Sequence, residues 1–477
     1  MNERKPPLSR TIKARTSRHK QRLIRMGARA SSPNSRQVPV AFQLVSGLIV
    51  LIAIGTALFL IPGAGTRKLS LMEAVFTSTS AAAVTGLSLF PVSTDLTLWG
   101  QLILLLLVQI GGVGLIVAVV LVFRLIGRQV TLGERLAVTS SLGLDRPQEI
   151  ALIMVRAVGL MFAIEGVGAA LLFLHWRISG IVPPEKAVFY AIFHAVTSYC
   201  NAGFDLFYGL PEYPNGLPTD PLTLLIMGGL IVLGGLGIPI YMELIYRRRK
   251  RPFSLHTRVT ITISLVLILL GWFGFLISEY RQTGVLSDMS FGQRVLLALF
   301  QSVSARTAGF PGLPGFSELN YPSIFMLIAL MFIGTAPAST GGGITTGTFA
   351  VLWLAVISYA RGLDHIRFGK HSLPQSLLMR ALVVFVISIS LVILATWLIL
   401  LTNPFSLDQV LFEVVSAYST TGLSLGITTG LNTIGRLIII FTMFAGRLGA
   451  ITIMISLLGR DTGKNLVDYP EESILIG

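Results

Sequence analysis

Cysteine is nearly absent from these 477 residues: Cys200 stands alone, which excludes an intrachain disulfide framework and an all-cysteine metal site. Charge is scarce as well, at 12% of residues against 53% hydrophobic, and apolar runs of this extent exceed what one soluble core buries. The six histidines carry no HExxH or other ligand spacing. Acids are rarest where bases are densest, since residues 1–37 hold eleven Lys and Arg against one acid, Glu3. Without interleaved aromatics that stretch is no familiar RNA-binding module, and without an apolar core it is no cleaved signal peptide. It reads as a disordered cytoplasmic arm that touches anionic lipid or a partner, with no nucleic acid involved. No GxGxxG opens a Rossmann pattern in any polar segment, and the loops are too short for a soluble domain. The deep polar inventory of Thr, Gly, one Glu and one Arg does not supply the paired carboxylates, nucleophile or metal ligands of a membrane enzyme.

What the chain does contain is apolar length. Runs at 41–61, 98–123, 150–175, 222–246, 258–279, 321–359 (interrupted), 378–402 and 433–458 approach or exceed the roughly 20 residues that span a bilayer. Between each pair lies a shorter amphipathic stretch: Glu73 to Thr79, Glu185 to Thr197, Phe291 to Val303 and Asp408 to Val415. Too short to cross, each must enter and return on one side. The basic arm, the junctions 124–149, 247–258 and 361–380 and the C-terminus hold twenty-seven Lys and Arg, against eight on the opposite side. The junctions and both termini are therefore expected in the cytoplasm, with the run Arg247 to Arg251 as the strongest marker.

Each short stretch leads into a small-residue segment with a serine five or six residues before a glycine. The serines are Ser80, Ser198, Ser304 and Ser416, and the glycines are Gly86, Gly203, Gly309 and Gly422, each followed by Leu or Phe. The glycines recur at 117, 106 and 113 residues, a fourfold repeat. Small-residue helix packing would explain one such segment. Four at one topological position point instead to non-helical backbone lining a watery cavity, where carbonyls face inward and hold a dehydrated alkali cation. The candidate ligands are Val84, Thr85 and Gly86; Asn201, Ala202 and Gly203; Thr307, Ala308 and Gly309; and Thr420, Thr421 and Gly422. Hydroxyls of Thr85, Thr307, Thr420 and Thr421 are available as further oxygens. Glycine permits positive φ without a Cβ clash, and the preceding helices aim negative dipole ends below the ring.

The second spans repeat too. Gly111-Gly112-Val113-Gly114, Gly234-Gly235-Leu236-Gly237 and Gly446-Arg447-Leu448-Gly449 read as mid-helix clusters for close packing. In the third repeat the corresponding run Gly334 to Gly347 contains Pro337 and Gly341-Gly342-Gly343, so an irregular loop at membrane depth is expected. Arg447 lies deep in the last span and is expected to face an interior cavity and pair with carbonyls or a carboxylate. Glu165, in the third span, is expected to pair with a neighbouring helix, and Arg306 to brace the third segment from behind. Asp205 reads either as an attractor of cations to the mouth or as a solvated loop acid, and Cys200 as a packing residue.

With these four motifs in order over residues 38–460, the sequence resembles the Trk/Ktr/HKT superfamily of potassium transporters, and without an extra N-terminal hairpin it looks most like the bacterial Ktr-type membrane subunit. The resemblance implies an all-α membrane protein of four membrane–pore-loop–membrane repeats, eight spans and four re-entrant helices around a pseudo-fourfold pore. Repeats are expected at 38–124, 150–246, 257–360 and 377–458, with tails at 1–37 and 459–477. It implies potassium bound at the filter residues above and a gate built from Pro337, Thr340, Gly341, Gly342, Gly343 and Arg447. It further implies no cofactor in this chain, a homodimer, and a cytosolic ring of nucleotide-binding, RCK-type regulatory subunits. In plant members a serine in place of the first filter glycine goes with sodium selectivity; Gly86 here favours potassium. Sodium as passenger, coupling ion or modulator stays open.

Overall fold

The computed structural model describes residues 40–114, 150–213, 216–246, 252–279, 284–287, 289–313, 315–369 and 371–449. The expected basic arm, the junction 124–149, the run Arg247 to Arg251, the far ends of the spans drawn to 123 and 458, and the tail 459–477 lie outside the described residues.

Four groups of helices follow one another. The first is α1 (Val40–Phe59), α2 (Leu71–Ala82) and α3 (Leu98–Val113); the second is α4 (Ile150–Ser179), α5 (Pro184–Tyr199), α6 (Pro221–Gly235) and α7 (Ile238–Tyr246). The third is α8 (Leu255–Glu279), α9 (Phe291–Ser304), α10 (Tyr321–Phe332) and α11 (Thr346–Ala360); the fourth is α12 (Gln375–Thr402), α13 (Leu407–Tyr418) and α14 (Thr433–Leu448). The short helices start where the sequence supplies caps. Ser70 with Glu73, Ser290 with Gln293 and Ser406 with Gln409 form capping boxes for α2, α9 and α13, while α5 opens on Pro184.

Among the described residues α1, α4, α8 and α12 are long and apolar enough to cross a membrane, and only 22 to 28% of each crossing stretch is buried in the chain, which leaves broad faces for lipid. The expected continuous span 222–246 is in fact two helices, α6 and α7, bent by 92°. The expected interruption of 321–359 is present between α10 and α11. Segment 361–380, read as a plain junction, holds a hairpin of β1 (Ile366–Phe368) and β2 (His371–Leu373).

Packing follows a cycle. Within each group the first long helix packs on the short helix that follows it, α1 on α2, α4 on α5, α8 on α9 and α12 on α13. Between groups, α3 packs on α5, α6 on α9, α10 on α13 and α14 on α2, so the fourth group closes onto the first. Glycines make the close approaches possible within groups. A Cβ on Gly111 would lie 2.4 Å from the carbonyl oxygen of Ala82, and one on Gly234 or Gly446 would lie 1.8 Å from that of Tyr199 or Tyr418. Those three carbonyls belong to the last residues of α2, α5 and α13.

The last glycine of each cluster does something the packing reading did not anticipate. Gly114, Gly237 and Gly449 take φ of 87, 85 and 79°, and each sits where a helix stops. The clusters therefore pack with their first glycine and break the helix with their last. The third group has Pro337 at the position of that breaking glycine.

Replacing Gly446 or Gly234 with Ala should destabilise the protein by about 1–3 kcal/mol, the range for overpacking a tight site. Gly229→Ala, at a site with nothing within 4 Å of the added methyl, should leave stability level or raise it. Thermal unfolding in detergent checks both; equal melting temperatures for all three variants would sink the close-approach account.

Candidate functional site

The four short helices end where the four glycine segments begin, and one hydrogen-bond pattern fixes the turn. Ser80 accepts from the Thr85 N–H at its carbonyl (2.7 Å) and from the Gly86 N–H at its hydroxyl (3.0 Å). Ser416 does the same for Thr421 (2.8 Å) and Gly422 (3.0 Å). In the second repeat the equivalent carbonyl is that of Thr197, 2.8 Å from the Ala202 nitrogen, so the sequence motif marked the neighbouring Ser198 in its place. In the third, the Ser304 carbonyl accepts from Ala308 (2.9 Å) and Gly309 (3.1 Å), and the Ser304 hydroxyl donates to the Phe310 carbonyl at 2.7 Å. The third turn is one residue shorter, so the serine spacing of five there reflects the turn, whereas in the second repeat it reflects a serine one residue past the accepting position.

Each segment then alternates in handedness. Val84, Asn201, Thr307 and Thr420 have φ of 57, 57, 73 and 52°, and Gly86, Gly203, Gly309 and Gly422 have φ of 94, 67, 77 and 94°. The residues between, Thr85, Ala202, Ala308 and Thr421, are not in that region. Alternating φ sign turns successive carbonyls to one side of the chain, and holding four non-glycine residues left-handed costs about 1–2 kcal/mol each.

The four segments meet in a ring. A Cβ on Gly86 would fall 2.4 Å from the Ala202 carbonyl oxygen, on Gly203 2.7 Å from that of Ala308, on Gly309 1.8 Å from that of Thr421, and on Gly422 2.0 Å from that of Thr85. Each repeat thus abuts the next and the fourth abuts the first. All four glycines open onto one cavity of 630 Å³, lined by the residues that follow them, among them Ser88, Asp205, Pro311 and Ser424. The side chains around the ring are uneven. The Thr85 and Thr420 hydroxyls are buried without a partner, whereas the Thr421 hydroxyl is 2.7 Å from that of Ser419. The Thr421 hydroxyl, expected as a further oxygen, is therefore engaged behind the ring.

The residues that precede the glycines meet the segment between α10 and α11. Its ends are pinned by Gly334 N–H to Ile344 (2.8 Å) and Thr346 N–H to Thr335 (3.0 Å), and its middle is joined to the α6–α7 break by Ala336 N–H to Gly235 and Ile238 N–H to Ala338, both 3.1 Å. The Thr340 hydroxyl lies 3.2 Å from the Asn201 amide and donates to Gly234 O at 3.2 Å. Gly341 and Gly342 press on Thr307 and Thr420, whose hydroxyls would be 2.2 and 2.6 Å from added Cβ atoms. Pro337 faces Gly237 across the break, where an added Cβ would be 2.6 Å from the Pro337 carbonyl. Gly343, at φ 73°, rests on Ser419.

Arg447 sits in the last turn of α14, since the helix stops at Leu448, and not midway along a continuous span. Its guanidinium donates to the carbonyls of Thr340 and Gly111, tying the third and first repeats to the fourth. A cation at a helix end that also meets a last-turn carbonyl of α3 is well placed electrostatically.

The remaining charges are held inside the fold. Arg306 is 5% exposed and donates to the carbonyls of Ser264 (3.2 Å) and Gly334 (3.1 Å), so it braces the start of the 334–347 segment as well as its own turn. Glu165 accepts from the Gln109 amide of α3 at 2.9 Å, a neighbouring-helix pairing as expected, and the Cys200 thiol is 3.7 Å from the same carboxylate. Asp205 is no solvated loop acid: its side chain is 7% exposed, 3.2 Å from His194, and accepts from the Phe207 N–H at 2.6 Å. The sequence reading passed over His194 and Glu413, both buried; a titratable residue on the apolar side of an amphipathic stretch was the available signal.

The cation transport protein family model, TrkH, matches residues 32–461. The Ktr system potassium uptake protein B of Bacillus subtilis is 33% identical over 91% of this chain and 96% of its own, and its namesake in Vibrio alginolyticus is 31% identical over 91% and 94%. The potassium/sodium uptake protein NtpJ of Enterococcus hirae is 29% identical over 91% and 96%. The crystal structure of the potassium transporter TrkH from Vibrio parahaemolyticus superposes with a TM-score of 0.71 at 20% identity, covering 90% of this chain and 86% of that one, which establishes the fold. The family consists of transporters and not of catalysts, and the chain belongs to it: it is a Trk/Ktr-type membrane protein, similar to the KtrB subunits.

Proposed function

We propose that this chain is the ion-conducting subunit of a Ktr/Trk-type potassium uptake system in the plasma membrane. The four glycine segments form its selectivity filter, with potassium held by carbonyls of the twelve residues from Val84 to Gly422 named above. The observation that carries this reading is the cyclic abutment of the glycines, Gly86 on Ala202, Gly203 on Ala308, Gly309 on Thr421 and Gly422 on Thr85. A closed ring of backbone at the mouth of one 630 Å³ cavity presents carbonyl oxygens where a cation must shed water. The unpartnered Thr85 and Thr420 hydroxyls suit the same role.

The eight-span architecture and the repeat boundaries 38–124, 150–246, 257–360 and 377–458 belong to this reading, as do cytoplasmic termini. In it, α3, α6–α7, α10–α11 and α14 are the second spans and α2, α5, α9 and α13 the re-entrant helices. The gate is the segment containing Pro337, Thr340 and Gly341 to Gly343, latched by Arg447. Entry follows the electrochemical gradient, and a membrane potential of 100 mV contributes about 2.3 kcal/mol per charge. A homodimer on a ring of RCK-type nucleotide-binding subunits completes the system, with the basic arm and junctions as docking surfaces. Sodium as passenger, coupling ion or modulator is the second reading, favoured by the potassium/sodium name of the Enterococcus hirae relative.

In a host lacking its own potassium uptake, the wild-type chain with its regulatory partner should restore growth at low potassium. Gly86→Ser should cut the preference for potassium over sodium by about tenfold, a loss of about 1.4 kcal/mol in relative binding. Unchanged preference in a well-expressed Gly86→Ser protein would remove the filter assignment.

Arg447→Gln, which takes the donors from Thr340 and Gly111, should raise resting ion flux several-fold, as should deletion of Gly341 to Gly343. Flux assays in proteoliposomes without the regulatory subunits check this, and lowered or unaltered flux in both variants would refute the gate.

A further inference from the structure

Three residues before Ser80, Thr197, Ser304 and Ser416, the residues that receive the backbone of each turn, stand Thr77, His194, Gln301 and Glu413. All four are buried to within 1% of full burial on the short helices. Three of them reach the chain just beyond their own glycine. His194 meets Asp205 at 3.2 Å, Gln301 accepts from the Gly312 N–H at 3.1 Å, and Glu413 accepts from Ser424 (2.7 Å) and Thr428 (2.5 Å). Thr77 does not: its hydroxyl has no partner. We infer that this row is a brace from short helix to post-glycine chain, built in three repeats and missing in the first, and that Glu413 is the positioning residue that holds the fourth filter segment in register. The inference rests on the filter reading of the ring.

Glu413 makes the strongest case. It is fully buried, and among the described residues it forms no salt bridge, so only hydroxyls answer its carboxylate. Burying a carboxylate on such terms is costly where an amide or apolar residue would pack. The cost is offset by what the carboxylate holds: Ser424 and Thr428 are 2.9 Å apart, both line the cavity, and the Ser424 hydroxyl accepts the Gly426 N–H at 3.0 Å. At the other end the Gly422 N–H is fixed by Ser416 on the same helix. Residues 422–428 are thus fastened to α13 at two points one helical turn apart. In the first repeat the Ser88 hydroxyl turns to its own neighbour, donating to the Phe90 carbonyl at 2.6 Å.

Tracer uptake in proteoliposomes tests the brace. Glu413→Ala should raise KM for potassium and lower the potassium over sodium preference, each by about tenfold, the scale of losing charge-assisted hydrogen bonds, with maximal rate held to within about twofold. Ser424→Ala with Thr428→Val should give the same change, and the triple variant no more, because all three act as one unit. Glu413→Gln, whose amide can accept from one hydroxyl and donate to the other while dropping the charge, should restore most of KM and preference. If Glu413→Gln is as impaired as Glu413→Ala, the charge and not the brace matters, and the inference fails. Should Glu413→Ala not fold, the Ser424/Thr428 pair carries the test, and normal KM and preference in that pair overturn it. Gly422→Ser separates the two levels: altered preference there with normal brace variants sinks only the brace, whereas normal preference in all of them sinks the filter.

Discussion

Backbone that leaves helical geometry at membrane depth must find partners for its N–H groups inside the protein, and here each glycine segment finds them on its own short helix while its glycine packs against the next segment. The Gly309 α-carbon lies so close to the Thr421 carbonyl that a methyl would come within 1.8 Å, and the contact recurs around the ring until Gly422 meets Thr85. The helices repeat that order at a larger radius, with α3 on α5, α6 on α9, α10 on α13 and α14 on α2. A displacement in one repeat is therefore felt by both neighbours at two levels. Such a ring is held by closure, which is why its approach distances leave room for a hydrogen and for nothing larger.

The third repeat departs from this symmetry in one place. Where three repeats end a helix on Gly114, Gly237 or Gly449 at positive φ, the third has Pro337, and its chain runs on as the 333–345 crossing before α11. Proline cannot take the positive φ of those glycines; α10 has already stopped at Phe332, and within the loop the next residue, Ala338, takes the positive φ, at 58°. The crossing touches Asn201 of the second repeat, Thr307 of its own and Thr420 of the fourth, and Arg447 links it to Gly111 of the first. A single asymmetric segment thus meets three repeats directly and the first through Arg447. The guanidinium suits that junction because it places positive charge at the C-terminal ends of α3 and α14, an interaction of about 0.3–1 kcal/mol at a surface and up to about 2 when partly buried.

The glycine spacing was enough to find the ring segments, Pro337 with Gly341 to Gly343 to find the irregular third-repeat segment, and a charge deep in an apolar run to find Arg447, because each rests on residue type and position along the chain. What escaped depends on geometry that such patterns do not encode. Gly111 and Gly114 look alike in sequence, yet one needs the absence of a Cβ for packing and the other needs positive φ to stop α3. Ser198 looked like the partner of Ser80, but the second turn has the same length as the first and places Thr197, one residue earlier, at the accepting position. Thr421 offered a hydroxyl that faces Ser419, and Asp205 proved to be tied inward by His194. Side-chain direction decided each of these, and direction follows from which neighbour arrives across the ring.

The ring also explains why its side chains can differ so much. At the left-handed position stand Val84, Asn201, Thr307 and Thr420, and three residues before each glycine stand Ala83, Cys200, Arg306 and Ser419. If side chains supplied the chemistry of the ring, four such sets would make four unlike surfaces. On the proposed filter reading carbonyls supply it, which leaves the side chains to the support of each repeat. Asn201 reaches Thr340 in the crossing, Arg306 holds Ser264 and Gly334, Ser419 engages Thr421, and Cys200 packs beside Glu165. Near-fourfold backbone and fourfold-unlike support are thus two sides of one arrangement, in which the shared surface is made of main chain and the differences between repeats lie behind it.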